Sequence, residues 1–213
     1  MDQISEKVQK GTTTVGIVCK DCIVLAADKR ASAGNFIASK DTDKIHKISP
    51  NMAVTMAGLV SDAQLIVKLA KAELSLKKIR SQKDAKVKEA ANMVANILYQ
   101  NIRKFSTVPG IVSFLLGGRD NHGFGLYELG VDGSLSGIKR FVSTGSGSFM
   151  AYGVMETLYT EEMSMKEGIE LSMKAINAAM QRDMATGEGV DVFVIDVNGA
   201  KKVVGKKIVS ELK

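Results

Sequence analysis

Gly11-Thr12-Thr13-Thr14-Val15-Gly16 stands directly behind a short polar leader, Met1 to Lys10. A threonine hydroxyl is a weak nucleophile and needs a base beside it. Histidine is the usual base, yet the chain holds only His46 and His122. The α-amino group of threonine itself is another candidate. Its unperturbed pKa is about 7.7–8.0, close to working pH, where general bases act best. That amine exists only once threonine is the first residue of the chain. Glycine before it crowds the bond least, so the Thr12 hydroxyl could attack the Gly11 carbonyl. The same run also reads as plain strand, because β-branched residues favour extended backbone. What weighs between the two readings is the set of residues downstream. Asp28-Lys29-Arg30, Asp43-Lys44, Ala57-Gly58-Leu59, Ser143-Thr144-Gly145-Ser146-Gly147-Ser148 and Gln181-Arg182-Asp183 follow in that order.

Other chemistries find less support. Cys19-Lys20-Asp21-Cys22 offers two thiols, but no second pair at metal-binding spacing exists, so a zinc site is not expected. The pair flanks an expected turn, where packing and redox chemistry both remain open readings. The Gly/Ser run at 143–148 lacks the strand–GxGxxG–helix frame and the lysine of a phosphate loop. The net charge is +6, but the lysines are scattered and tryptophan is absent, so solvated surface and subunit contacts are expected instead of nucleic acid. No apolar run reaches the ~18–20 residues that span a membrane, and the leader lacks the apolar stretch of a signal peptide. A cytoplasmic chain with a propeptide is the expectation.

The elements that must position these residues follow from the apolar periodicity. Thr13 to Cys19 and Cys22 to Ala27 read as a hairpin around Lys20-Asp21. Short strands are expected near Phe36-Ile37, Ile45–Ile48 and Ala53–Met56. The period then becomes helical. Ser61-Asp62-Ala63-Gln64 reads as a capping box, ahead of a stripe at Leu65, Leu69, Ala72 and Leu76. A second helix is expected over Asp84–Lys104, with Val87, Ala91, Val94 and Leu98 on one face. Strands at Ile111–Leu116, Gly123–Leu129 and Gly137–Val142 precede helices at Phe149–Leu158 and Ser164–Arg182. The last begins with a capping box, Ser164 to Glu167, and carries Ile169, Met173, Ile176 and Met180 as its stripe. Val190–Val197 and Lys201–Ile208 close the chain around the turn dipeptide Asn198-Gly199. Strands, two helices, strands, two helices, two strands is an α+β order. Two antiparallel sheets with a helix pair on each outer face would bury every stripe.

Taken together, these motifs and their separations resemble the β subunits of the 20S proteasome, archaeal ones above all, over almost all of Thr12 to Lys213. The resemblance implies the four-layer αββα sandwich of N-terminal nucleophile hydrolases. It implies a propeptide, residues 1–11, removed by cutting Gly11-Thr12, and a threonine peptidase domain, residues 12–213. Thr12 is then the nucleophile and its α-amine the base, with Lys44 beside the hydroxyl and Asp28 holding Lys44. Gly58 supplies an oxyanion N–H, and Ser146 bonds the threonine amine. Asp183 supports the site, together with Thr186, which stands where the family usually has serine. Ala31 and Met56 match the specificity pocket, with His46 next to it, and imply cleavage after bulky hydrophobic residues. The expected particle has heptameric β rings between rings of a different α subunit, fed with unfolded polypeptides by an ATPase. No metal, cofactor, nucleic acid or membrane is implied. An inactive structural β-type subunit of the same particle is the alternative.

Overall fold

A computed structural model of the chain describes residues 11–208. Residues 1–10 of the expected propeptide, 1–11, lie outside the described residues, as do residues 209–213.

Strand β1 (Thr13–Val18) turns through Lys20-Asp21 into β2 (Ile23–Asp28), and the Cys19 N–H closes the turn on the Cys22 carbonyl at 2.9 Å. On β2 the alternation is strict. Ile23, Leu25 and Ala27 face one side and Val24 and Ala26 the other, all fully buried. A strand buried on both faces must lie inside a layered structure. After the β3–β4 ribbon (Ala31–Ala33 and Phe36–Ser39) come β5 (Ile45–Ser49) and β6 (Met52–Gly58). Helices α1 (Val60–Ser81) and α2 (Val87–Arg103) follow. Next are β7 (Val112–Asp120), β8 (Gly123–Leu129), β9 (Leu135–Ile138) and β10 (Phe141–Gly145). Helices α3 (Ser148–Leu158) and α4 (Met165–Met180) and strands β11 (Gly189–Asp196) and β12 (Gly199–Lys207) complete the order.

Two five-stranded antiparallel sheets result, β10-β1-β2-β11-β12 and β5-β6-β7-β8-β9. Ile23, Leu25, Leu115, Leu126 and Ile195 pack between them. The α1–α2 pair covers the second sheet around Phe114, Leu116 and Leu98, and the α3–α4 pair covers the first around Val24, Met155 and Ile176. This is the four-layer αββα sandwich expected from the element order. The Ser164 capping box forms as expected, its hydroxyl accepting from the Glu167 N–H and Glu167 accepting from the Ser164 N–H. The α2 face also falls where expected, with Val87, Ala91, Val94 and Leu98 buried.

Four expectations are corrected. Ser61 does not cap α1. The chain drops into the helix straight from β6, Leu59 is the N-cap, and Ser61 is already helical. The buried stripe of α1 is Ala63, Ile66, Val67, Ala70 and Leu74, whereas Leu65, Leu69, Ala72 and Leu76 are exposed. Both stripes are apolar. The one chosen carries the small Ala63 and Ala70, which let the helix axis approach the sheet. The single strand expected over Gly137–Val142 is two. Its first half pairs with β8 and its second with β1, so the chain crosses between sheets at Lys139-Arg140. The last hairpin turns on Val197-Asn198, one residue earlier than expected. Asp196 pairs with Gly199, and the Asp196 carboxylate accepts from the Asn198 N–H. The short β3 had no periodic signal.

Cys19 and Cys22 are free and buried. The Cys19 sulfur rests against Gly168 of α4, and its pKa is pushed up by the hydrogen bond with Cys22 and by burial. This arrangement accords with packing.

The corrected face of α1 sets a test. Leu74 is 6% exposed and Leu76 43%. Leu74→Ala is expected to cost about 2–3 kcal/mol and Leu76→Ala no more than about 0.5 kcal/mol, read from urea midpoints. The reverse order would put the other stripe against the sheet.

Candidate active site

Thr12 stands just before β1 in a small cleft between the two sheets, 4% exposed, with Lys44 and Gly58 lining the same cleft. The Thr12 hydroxyl contacts the Gly11 carbonyl oxygen, so the hydroxyl and the Gly11–Thr12 bond share the cleft. Gly58 closes β6 at φ +119, a backbone angle that side chains resist, and a Cβ there would fall 2.1 Å from the Ile111 carbonyl oxygen. The Leu59 N–H donates to Ile111 and the Met56 N–H to Lys44. Strand alternation therefore directs the Gly58 N–H to the Lys44 side, toward the cleft. Such an N–H is suited to a developing oxyanion.

Asp28 ends β2 and Lys44 precedes β5, one in each sheet. Lys44 Nζ donates to Asp28 Oδ1 at 2.7 Å, and the two are 3% and 1% exposed. The backbone N–H groups of Thr13, Arg30 and Gly187 also donate to this carboxylate, at 3.1, 3.1 and 3.0 Å. Burial pushes the Asp28 carboxyl up and the Lys44 ammonium down; their mutual attraction opposes both shifts, and the Gly187 and Thr13 N–H groups oppose that of Asp28. A lysine held by a carboxylate in a cleft that it shares with a threonine hydroxyl is suited to passing a proton.

The second arm reaches Thr12 from the other side. Ser146 Oγ lies 3.4 Å from the Thr12 nitrogen and donates to Asp183 Oδ2 at 2.6 Å. Thr186 Oγ1 donates to the same oxygen at 2.5 Å. Ser146 has spent its proton on Asp183, so toward the Thr12 nitrogen it is an acceptor. Gly145, at φ +99, makes the approach possible, for a Cβ there would fall 1.9 Å from the Thr12 carbonyl oxygen.

All the residues expected at the site are thereby brought together. Thr12, Lys44, Gly58, Ala31 and Met56 line one cleft, and Asp28, Ser146, Asp183 and Thr186 support it from behind. The methyl group that distinguishes Thr186 from serine leaves its hydroxyl bonded to Asp183. His46 is not among the cleft-lining residues. Burial lowers its pKa, followed by the nearby charge of Lys71 on α1. Ser32, Thr42 and Val60 line the cleft without having been expected. Neither periodicity nor motif marks them, because Ser32 and Thr42 lie in or beside the short β3–β4 ribbon and Val60 opens α1 outside its buried stripe. The supporting N–H of Gly187 was equally invisible as a donor.

The Asp28–Lys44 pair makes a pH-dependent prediction. Lys44→Met leaves a buried carboxylate without its cation and is expected to cost about 3–5 kcal/mol. Asp28 then titrates with a pKa raised further above its unfolded value. The folded state holds more protons than the unfolded state between those values, so the deficit grows as pH rises from acid to neutral. Urea midpoints of variant and parent across that range test this, and a deficit independent of pH would contradict it.

Comparison with known proteins agrees with this architecture. A family model described as proteasome subunit matches residues 8–195. The proteasome subunit beta of Archaeoglobus fulgidus is 44% identical over 195 residues, covering 92% of this chain and 90% of that one. That of Archaeoglobus profundus is 45% identical over 199 residues, covering 93% and 91%. The Ferroglobus placidus protein is 47% identical over 192 residues, covering 90% of each. With its four-layer sandwich and a similarity that runs nearly end to end, the chain belongs to the proteasome subunit family.

Proposed function

We propose that this chain is a proteolytic β-type subunit of a 20S particle, a threonine peptidase that matures by cutting its own Gly11–Thr12 bond. The observation that carries the reading is the contact of the Thr12 hydroxyl with the Gly11 carbonyl inside the cleft of Lys44 and Gly58.

In maturation, Thr12 Oγ attacks the Gly11 carbonyl carbon. The Thr12 nitrogen is still an amide and cannot take the proton, so Lys44 is the basic group at hand. The same proton passes to the departing nitrogen as the tetrahedral intermediate collapses, so the C–N bond breaks, the α-amine is freed and an ester is left on Oγ; water then hydrolyses that ester, releasing the leader as a carboxylate and restoring the Thr12 hydroxyl. That amine then serves substrate peptides. It takes the Thr12 hydroxyl proton during attack, returns it to the departing amine, and activates the water that releases the acyl group. The Lys44 ammonium favours the deprotonated forms of its neighbours, Asp28 holds Lys44, and Ser146 with Asp183 and Thr186 holds the Thr12 nitrogen. A Gly58 N–H to the oxyanion is a role worth about 2.7–4 kcal/mol where such a donor has been removed from other enzymes. None of these steps calls on a metal or cofactor.

Ala31 and Met56 give the cleft a small wall and a pliable thioether, which supports cleavage after bulky hydrophobic residues. The working form is a homo-heptameric β ring stacked on rings of α subunits, with unfolded chains delivered by an ATPase in the cytoplasm. No described helix is long and apolar enough to cross a membrane.

Co-expression with an α subunit is expected to give a chain whose intact mass begins at Thr12, and Thr12→Ala is expected to keep the leader and lose peptidase activity with rings intact. A Thr12→Ala particle that still cleaves peptides would overturn the reading, and an unprocessed parent chain in full rings would favour an inactive structural subunit. In a fluorogenic peptide panel, hydrophobic residues before the cut should outpace basic ones, and the opposite ranking would remove the pocket assignment.

A further inference from the structure

Two arms of the site come from distant parts of the chain. One is Asp28–Lys44, the other Ser146–Asp183–Thr186. Thr13 touches both. Its backbone N–H donates to Asp28 Oδ1 at 3.1 Å, the oxygen that Lys44 reaches. Its side chain leaves β1 on the opposite face from Thr12, and its hydroxyl lies 2.7 Å from Thr186 Oγ1. Thr186 commits its one proton to Asp183 Oδ2, so Thr13 is the donor between the two threonines. The Thr13 side chain is fully buried, and a Cβ on Gly147 would fall 2.2 Å from its hydroxyl, which therefore rests on the backbone next to Ser146.

The proton order is then continuous. The Thr12 N–H donates to Ser146, Ser146 to Asp183, Thr186 to Asp183, and Thr13 to Thr186. Each hydroxyl has one proton and each is spent, so the orientation of one fixes the next. If the Thr13 donor is removed, Thr186 Oγ1 is left with an unfilled acceptor in a dry site and is free to turn from Asp183. Asp183 in turn sets Ser146, and Ser146 meets the Thr12 nitrogen.

We propose that Thr13 is a positioning residue for the threonine chemistry. It locks the Asp28–Lys44 arm to the Ser146–Asp183–Thr186 arm and so sets where the Thr12 nitrogen and hydroxyl stand relative to each other. Thr13 touches no substrate atom and acts through its neighbours. The inference rests on the peptidase reading above.

The test is Thr13→Val in the full chain, co-expressed with an α subunit. Valine keeps the β-branch and the N–H and removes only the hydroxyl. The expected result is a fall in kcat of about ten-fold, the size of one lost hydrogen bond in a buried network, with KM changed by less than about two-fold. Thr13→Ser restores the hydroxyl and should restore kcat. In a Thr186→Val background, Thr13→Val should add little, since the link is already cut. Assembled and processed Thr13→Val particles with the parent kcat would overturn the proposal. So would a loss that Thr13→Ser shares, which would make the methyl group's packing the cause. If Thr13→Val does not assemble, Thr13→Ser at parent kcat together with Thr186→Val lowering kcat at constant KM supports the link, and any other combination of the two refutes it. Thr12→Ala measured alongside separates the two claims: activity without Thr12 sinks the peptidase reading, whereas an inactive Thr12→Ala beside a fully active Thr13→Val sinks this inference alone.

Discussion

A carboxylate and an ammonium sealed from water where the two sheets meet make the demand that the rest of this structure satisfies. Removing an ion such as Asp28 or Lys44 from water costs several kcal/mol, and pairing alone does not recover it. Asp28 is therefore surrounded. Besides Lys44, it accepts from the Thr13, Arg30 and Gly187 N–H groups, which come from β1, the link from β2 to β3 and the loop after α4. Thr13, Lys44 and Gly187, which stand 15, 16 and 159 residues from Asp28, must converge for the pair to exist, and once they do, Thr12 has little freedom left.

The sandwich supplies that convergence by an unequal use of its sheets. The first brings β10, β1, β2 and β11 side by side, so the turn at 146–147, Thr12, Asp28 and the loop before Gly189 meet at one end. The second contributes Lys44 at the start of β5 and Gly58 at the end of β6, which are antiparallel neighbours. The chain's crossing at Lys139-Arg140 matters here. By leaving β8 and joining β1, it carries Ser146 from one sheet to the other and onto the Thr12 nitrogen. Backbone approaches this close leave no room for side chains, which is why Gly58 and Gly145 are glycines.

The face of α1 that carries Leu65, Leu69, Leu76 and Ile79 is exposed in the single chain, beside a second stripe of the same helix that is buried. A helix apolar on two sides is what a subunit of a larger particle can afford.

Local patterns in the sequence determined a good deal: the β1–β2 hairpin, the buried face of α2, the Ser164 capping box, and the layered α+β order. Each of these depends on residues within a few positions of one another, and so does the proposed chemistry of the Gly11–Thr12 bond, whose hydroxyl and amine would lie in one residue. Asp28, Lys44, Ser146, Asp183 and Thr186 were legible only as members of a family pattern, since nothing in their own neighbourhoods distinguishes a buried ion pair from a surface one. Tertiary structure alone decided which apolar stripe of α1 meets the sheet, because both fit a helix and only close packing against β5 and β6 separates them. It decided where the 137–142 segment breaks, because each half has an equally good but different partner strand. It also decided the place of Thr13, one among three consecutive threonines, whose partners Asp28 and Thr186 lie 15 and 173 residues away. Interactions at that separation leave no periodic trace in the chain, and folding is what brings their atoms within reach.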